Sequence, residues 1–270
     1  MDLSVLSALI RNGHGVNVVK YIKENTNFNI HEIWNGDTAL HHLCEGRFGK
    51  ENIMKALLAH TEVNVNAKNT LGSTPLTLAC ANSGMLGCIK LLLKDPRVEV
   101  NMANNYGNTP LWTLIWNAGW TLTEYLEEIK WLVALRGDEL DLEKKGFGYG
   151  KECSPLELAR IGKKCLPFIE RLVADPKQVR YEVCLEFNFP EALTADLFAM
   201  TVLLCDDFLR LNETASSASR FFNIAKQLPI ELQMIVCHRA HGSGKDNIKS
   251  KVFEPAFKHI VKEMSLSEIK

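Results

Sequence analysis

The 270-residue sequence predicts an all-α solenoid, a row of stacked helix–turn–helix units with a helical extension behind it. Two observations predict this. The ten residues LGSTPLTLAC (71–80) recur as YGNTPLWTLI (106–115), and the opening glycines Gly36, Gly72 and Gly107 stand 36 and 35 residues apart. Each copy is also trailed by a second apolar-periodic segment: NIMKALLAH, GCIKLLLKD and IKWLVALRG. A fixed period of this length marks a repeat architecture, because one helical hairpin cannot bury its apolar face without a neighbour.

Taken in order, residues 4–30 (SVLSALIRNGHGVNVVKYIKENTNFNI) read as an early unit with two helices but no Thr-Pro-Leu start. Gly36-Asp37-Thr38-Ala39-Leu40 opens the next unit, then Gly72-Ser73-Thr74-Pro75-Leu76, then Gly107-Asn108-Thr109-Pro110-Leu111. Ser154-Pro155-Leu156, trailed by PFIERLVAD, is a degraded last copy. Each letter has a physical role. Glycine supplies the permissive backbone of a tight turn. The Thr hydroxyl caps the coming helix and Pro is pre-set for its first turn. The Leu and the following Ala or Cys face the neighbouring helix pair, and the IxxLL spacing gives the second helix its buried stripe. The segments VNVNAKN, VEVNMANN and ELDLEKK then read as extended arms that close into a hairpin with the next turn.

Two stretches depart from the period. WNAGWTLTEYLEE (116–128) carries about five extra residues and predicts a longer junction between the helices of the Gly107 unit. LEKKGFGYGKECSP holds three glycines and predicts a longer loop, with Glu152 where the period wants glycine. Insertions in solenoids fall in loops, often on the binding face.

The pattern resembles the ankyrin-repeat family, whose period is about 33 residues. The resemblance implies an ankyrin domain of about five repeats over residues 1–176 and a helical C-terminal domain over 177–270. It also implies protein binding through the hairpin tips and the inner face of the first helices. By position in the repeat, those places hold Trp34, Asp37, Glu45 and Arg47, then Leu71, Ser73 and Asn82. The Gly107 unit adds Tyr106, Asn108, Trp112, Trp116, Asn117 and, in its insertion, Trp120. Aromatic rings with polar neighbours are the usual material of binding hot spots. Tyr106, Trp116 and Trp120 are expected on the surface, and Trp112 reads equally well as surface or core. Trp131, aligned with Leu91, is expected in the core.

In the last third, residues 177–211 have helical apolar periodicity, and NETASSAS (212–219) reads as a polar linker or loop. Two or three helices follow from Ser219, with Pro229 in a first turn and Gly242-Ser243-Gly244 at an end. LPIELQMIV followed by KDNI resembles the opening of an F-box, as in the C-terminal box of poxviral and bacterial ankyrin proteins. That resemblance implies a ubiquitin-ligase substrate adaptor docking a Skp1-like scaffold through Leu228, Pro229 and Leu232. The region also resembles C-terminal modules of ankyrin-bearing effectors of intracellular bacteria such as Legionella. The tail KEMSLSEIK fits a translocation signal there. This implies a virulence effector secreted into the host-cell cytoplasm, where it binds a host protein; failing that, the chain is expected in the cytoplasm.

Composition narrows the classes. With 31 Lys+Arg against 32 Asp+Glu the formal charge is -1, which argues against an electrostatic nucleic-acid binder. No signal peptide is read in MDLSVLSALIRNG, and LFAMTVLLC (197–205) is too short to span a bilayer. Eight cysteines without a CxxC pair read as buried, reduced residues of an intracellular chain. HGSGKD (241–246) is not a phosphate loop, since Arg239 stands at the first glycine, Asp246 replaces Ser/Thr and a helix precedes it. Cys237, His238 and His241 lack a second ligand pair, and His259 does not complete a set. They read as a buried cysteine beside surface histidines. His41 is expected to be structural. The expectation is therefore a monomeric protein-binding module with no cofactor, no metal and no catalysis. The adaptor is the second reading, and an enzyme with its site in the C-terminal third is the third.

Overall fold

Thr or Ser followed by Pro starts three helices of the N-terminal unit. Thr74 Oγ1 accepts from Thr77 N at 3.2 Å, Thr109 Oγ1 from Trp112 N at 3.3 Å, and Ser154 Oγ from Glu157 N at 3.3 Å. Glu157 answers by accepting from Ser154 N at 2.8 Å, completing a capping box. The computed structural model describes residues 36–45, 51–120, 124–205, 217–225 and 227–240, with single positions at 19, 22, 248, 252, 254–256 and 258–260. These fall into two units, Met1–Ala174 and Asp175–Lys270. Most of the early unit at 4–30 lies outside the described residues.

In the first unit the helices alternate as the repeat requires: α1 (Ala39–Glu45), α2 (Glu51–Leu58), α3 (Pro75–Ala81), α4 (Leu86–Lys94), α5 (Pro110–Trp120) and α6 (Glu124–Arg136). A short hairpin, β1 (Gly146–Gly148) and β2 (Lys151–Cys153), precedes α7 (Pro155–Gly162) and α8 (Leu166–Ala174). First helices pack on first helices, α1 on α3, α3 on α5 and α5 on α7, while α2, α4 and α6 form the second layer. Leu43, Leu76, Ile89, Leu92, Leu114 and Leu132 are buried between them. Burial of about 25 cal/mol per Å² of apolar surface at each junction is what holds neighbour to neighbour.

Polar side chains tie successive units together at both ends of the helices. Asn82 Nδ2 donates back to the Cys44 carbonyl at 3.1 Å, and Asn117 Nδ2 to the Cys80 carbonyl at 3.1 Å. At the next junction the equivalent place is Gly162, and the helices close in. A Cβ there would stand 3.0 Å from the Gly119 Cα. On the second-helix side Arg97 donates to the carbonyls of Leu58, His60 and Thr61, and Arg136 to those of Leu93, Asp95 and Val98. These guanidinium forks satisfy carbonyls that a helix C-terminus leaves orphaned.

Three expectations are corrected. The fold is mostly helical rather than all-α, because GFGYGKEC forms an antiparallel hairpin, with Phe147 opposite Glu152, in place of a long loop. The insertion at 116–128 lengthens the helices and not the junction, which is residues 121–123 here against 82–85 in the Gly72 unit. α5 has 11 residues and α6 has 13, against 7 and 9 in α3 and α4. Trp131 is half-buried, not core, with Lys90 Nζ lying 4.0 Å from its ring centroid.

The second unit holds α9 (Pro176–Glu186), α10 (Pro190–Cys205), α11 (Ser217–Ala225) and α12 (Ile230–Ala240). Asp175 caps α9, its carboxylate accepting from Gln178 N at 3.1 Å. Tyr181, Ala192, Ala195, Ala199 and Leu203 make the core with Ala256 and Ile260, and small residues on α10 let its neighbours approach. Residues 217–219, expected at the end of a linker, open α11, while 212–216 and Gly242–Gly244 lie outside the described residues. Among the described residues no single helix is long and apolar enough to cross a membrane.

Candidate protein-binding surface

The hairpin tips at Gly72 and Gly107 are each built by one asparagine and one glycine. Asn69 Oδ1 accepts from Leu71 N at 3.1 Å and Ser73 N at 3.0 Å. Asn104 Oδ1 takes Tyr106 N and Asn108 N in the same way, both at 3.0 Å. The turn then needs a left-handed residue, supplied by Gly72 at φ 70° and Gly107 at φ 77°. Clamping the backbone this way forces the residue before each glycine outward. Leu71 is 52% exposed and Tyr106 57%.

The tips are also joined to one another. Asn105 N donates to the Leu71 carbonyl and Phe147 N to the Tyr106 carbonyl, both at 3.0 Å. Asn108 Oδ1 accepts from Phe147 N as well, at 2.9 Å. The β1–β2 hairpin therefore continues the row where the period breaks, and it adds exposed Phe147 and Tyr149. The result is a line of apolar side chains, Leu71, Tyr106 and Phe147, mounted on consecutive hydrogen-bonded turns.

Beneath the hairpin lies an aromatic column. Trp112 and Trp116 stack with centroids 5.4 Å apart and planes 14° apart, and Tyr149 tilts onto Trp116 at 4.7 Å. Trp112 Nε1 donates to the Cys153 carbonyl at 3.0 Å. The hairpin comes this close because Gly146 and Gly148 lack side chains. A Cβ on Gly148 would sit 2.6 Å from Trp116 Cζ3 and 2.8 Å from Trp112 Cη2.

Several expected binding residues change role. Trp112 is only 2% exposed, so it is a core residue covered by the hairpin. Trp116, expected on the surface, is half-buried in the same column. Ser73 is buried, and its carbonyl accepts from His41 Nε2 at 2.9 Å. Asn82 and Asn117 are occupied in the ties to the preceding helix, and Asn108 props the hairpin. Asp37 Oδ1 accepts from Asn69 Nδ2 at 3.0 Å, and Glu45 is exposed at the end of α1. Trp34, Arg47 and the Trp120 side chain lie outside the described residues. Phe147 and Tyr149 were not among the expected residues. For Phe147 the signal was GFG, which puts glycine on one face of a strand and the ring on the other, whereas Tyr149 lies in the turn and tilts back onto Trp116.

His41 is structural in the way its place in the repeat implied. Its Nδ1 accepts from Thr38 N at 3.2 Å, so the ring proton belongs on Nε2, the nitrogen that reaches Ser73. Burial holds its pKa below the ordinary value, against the opposing pull of that bond and of Asp37.

In the second unit Leu228 is half-buried, with its carbonyl taken by Gln233 Nε2 at 2.9 Å, while Pro229 and Leu232 are exposed at the start of α12. His238, expected on the surface, is instead 3% exposed beside buried Cys237. His241 lies outside the described residues. Burial pushes the Cys237 thiol up to about 11, and it raises Cys80, Cys153 and Cys165 in the same direction. An activated nucleophile needs the opposite shift.

Stacked helical hairpins with clamped, outward-facing tips define a repeat protein whose surface is built for contact with another macromolecule. The family model described as ankyrin repeats (3 copies) matches residues 6–104 and 48–144, together just over half of the chain. The chain belongs to the ankyrin-repeat family, with the repeats in its N-terminal half and a helical region after them. No curated protein matches it.

Proposed function

We propose that this chain is a non-catalytic protein-capture module that holds its partner across the tips Leu71, Tyr106 and Phe147. Ankyrin repeats imply protein partners in general. The observation that carries the specific reading is the exposed apolar row on a rigid ladder of turns, since anchors held in place lose little entropy on binding. Changing Leu71 and Phe147 to Ser and Tyr106 to Ala should weaken binding of the partner recovered by affinity capture and mass spectrometry, by about thirtyfold or more. Their exposure means the melting temperature should hardly move. A variant that melts early, or binds as before, sinks this assignment of the surface. We also read the Ser154 helix pair and residues 4–30 as the outer repeats of a five-repeat stack over 1–176.

The finer reading is a bacterial effector that captures a host protein in the host cytoplasm. It is supported by the resemblance of the C-terminal third to effector modules and by the polar tail at 262–270. Fusion of that tail to a translocation reporter tests it, and failure of the reporter to reach host cytosol removes it. Exposure of Pro229 and Leu232 on α12 favours the ligase-adaptor reading as the second. Leu228→Ala with Pro229→Ala should then release a Skp1-like scaffold while leaving tip-bound partners attached. A wild-type capture without any scaffold refutes it.

A further inference from the structure

The Gly36 unit brings an imidazole and two carboxylates together. Asp37 sits in the turn, His42 in the middle of α1 and Glu45 at its end. One ligand atom from each lies within 4.8 Å of the other two. His42 is 3% exposed, and its Nδ1 is 3.2 Å from Glu45 Oε2. Asp37 is held from outside the group by Asn69 Nδ2 at 3.0 Å, a bond that uses one carboxylate oxygen and fixes the carboxylate's orientation. The neighbouring His41 cannot join, because Nδ1 faces Thr38 and Nε2 faces the Ser73 carbonyl.

We infer that Asp37, His42 and Glu45 form a binding site for a first-row divalent transition ion of the zinc class. Two carboxylates brought this close repel unless positive charge lies between them. One imidazole with two carboxylates is a nitrogen–oxygen set suited to Zn²⁺ or Co²⁺, whereas Ca²⁺ asks for six to eight oxygens. Donors on a tetrahedral zinc stand roughly 3.3 Å apart, given bonds of about 2.0 Å. The His42–Glu45 separation already matches that spacing, and the Asp37 ligand atom lies within 4.8 Å of both. The Asn69 bond supplies the outer-sphere support that orients a ligating carboxylate. Three protein ligands leave a coordination position open at the exposed end of α1, where water or a partner's side chain can enter. The site shares Asn69 with the Leu71 tip, but it stands whether or not that surface binds a partner.

The experiment is a calorimetric titration of the full chain with Zn²⁺ and a parallel titration with Co²⁺ followed by visible absorption. The expected result is one equivalent bound, weakened about tenfold or more by Glu45→Gln and by Asp37→Asn. Glu45 is exposed, and asparagine at 37 can still accept from Asn69, so both variants should keep the wild-type circular dichroism spectrum and melting temperature. Three results would overturn the site. One is no stoichiometric binding, which would leave the His42–Glu45 contact an ordinary side-chain hydrogen bond. The others are binding unchanged in both variants, or a Co²⁺ spectrum with thiolate charge-transfer bands, which would place the metal on cysteines elsewhere.

Discussion

Gly148→Ala tests whether the β1–β2 hairpin is seated on the tryptophan column or merely near it. The added methyl would meet Trp116 Cζ3 at 2.6 Å and Trp112 Cη2 and Cζ2 at 2.8 and 2.9 Å. Ring atoms do not yield as a flexible side-chain end does, and Trp112 is further pinned through Nε1 to the Cys153 carbonyl. Either the strand lifts or the rings rotate. Forcing a methyl into such a contact costs about 1–3 kcal/mol. For a repeat unit of this size that corresponds to a melting shift of about 2–4 °C per kcal/mol. The loss should be local, because repeats are held only by their neighbours. Amide exchange should accelerate at Phe147, whose N–H reaches the Tyr106 carbonyl, and through β2, but hardly at α1 and α2. Tryptophan emission should shift to the red as Trp112 and Trp116 gain water. Phe147→Ala is the control, since its ring is 50% exposed and its loss should leave stability nearly unchanged. If Gly148→Ala melts like the wild type with the same exchange pattern, the hairpin is not packed on the column as described.

Leu92 is fully buried in α4, so Leu92→Asp should cost about 3 kcal/mol or more by burying an unpaired charge. Exchange should rise mainly over residues 67–140, and a uniform rise, or none, would contradict nearest-neighbour stacking. His41 sets a pH dependence of known sign. Burial lowers its folded-state pKa below the ordinary histidine value of 6.5, so the unfolded chain takes up this proton first. Its contribution to stability is full above 6.5 and is lost as pH falls from there toward the folded value. Urea melts at pH 7.5 and 5.5 should show this drop in the wild type and a smaller one in His41→Gln; equal drops would remove His41 as the cause.

What was legible in the sequence is the chemistry that acts over a few residues. Thr74-Pro75, Thr109-Pro110 and Ser154-Pro155 start helices because a cap and its target amide lie three residues apart. Gly72 and Gly107 mark left-handed turns because no side chain favours that backbone. The burial of Trp112 was harder to read, since the strand that covers it arrives 34 to 41 residues later. The period nevertheless held a clue. His41, Thr77 and Trp112 occupy the same repeat position, and all three are buried. The asparagine ties were also open to misreading. Asn82 and Asn117 look like surface polar groups until the carbonyls of the preceding helix are placed beside them.

The departure from the period at Glu152 carries the larger lesson about the surface. A regular repeat would place another glycine turn there, with one exposed residue ahead of it. Instead the chain spends Gly146 and Gly148 on close approach to Trp112 and turns at Tyr149 and Gly150, at φ 52° and 77°. Alternating glycines leave the inner face of the strand without side chains, so it can lie flat on the rings. That same alternation sends Phe147 to the outer face, in line with Leu71 and Tyr106. Thr77, at the same repeat position under a regular tip, is buried as well, so the hairpin keeps that burial and sets an aromatic ring on the surface beyond it. Trp112 on α5 is therefore core, Trp116 beside it is half-buried, and Phe147 of the hairpin stands exposed.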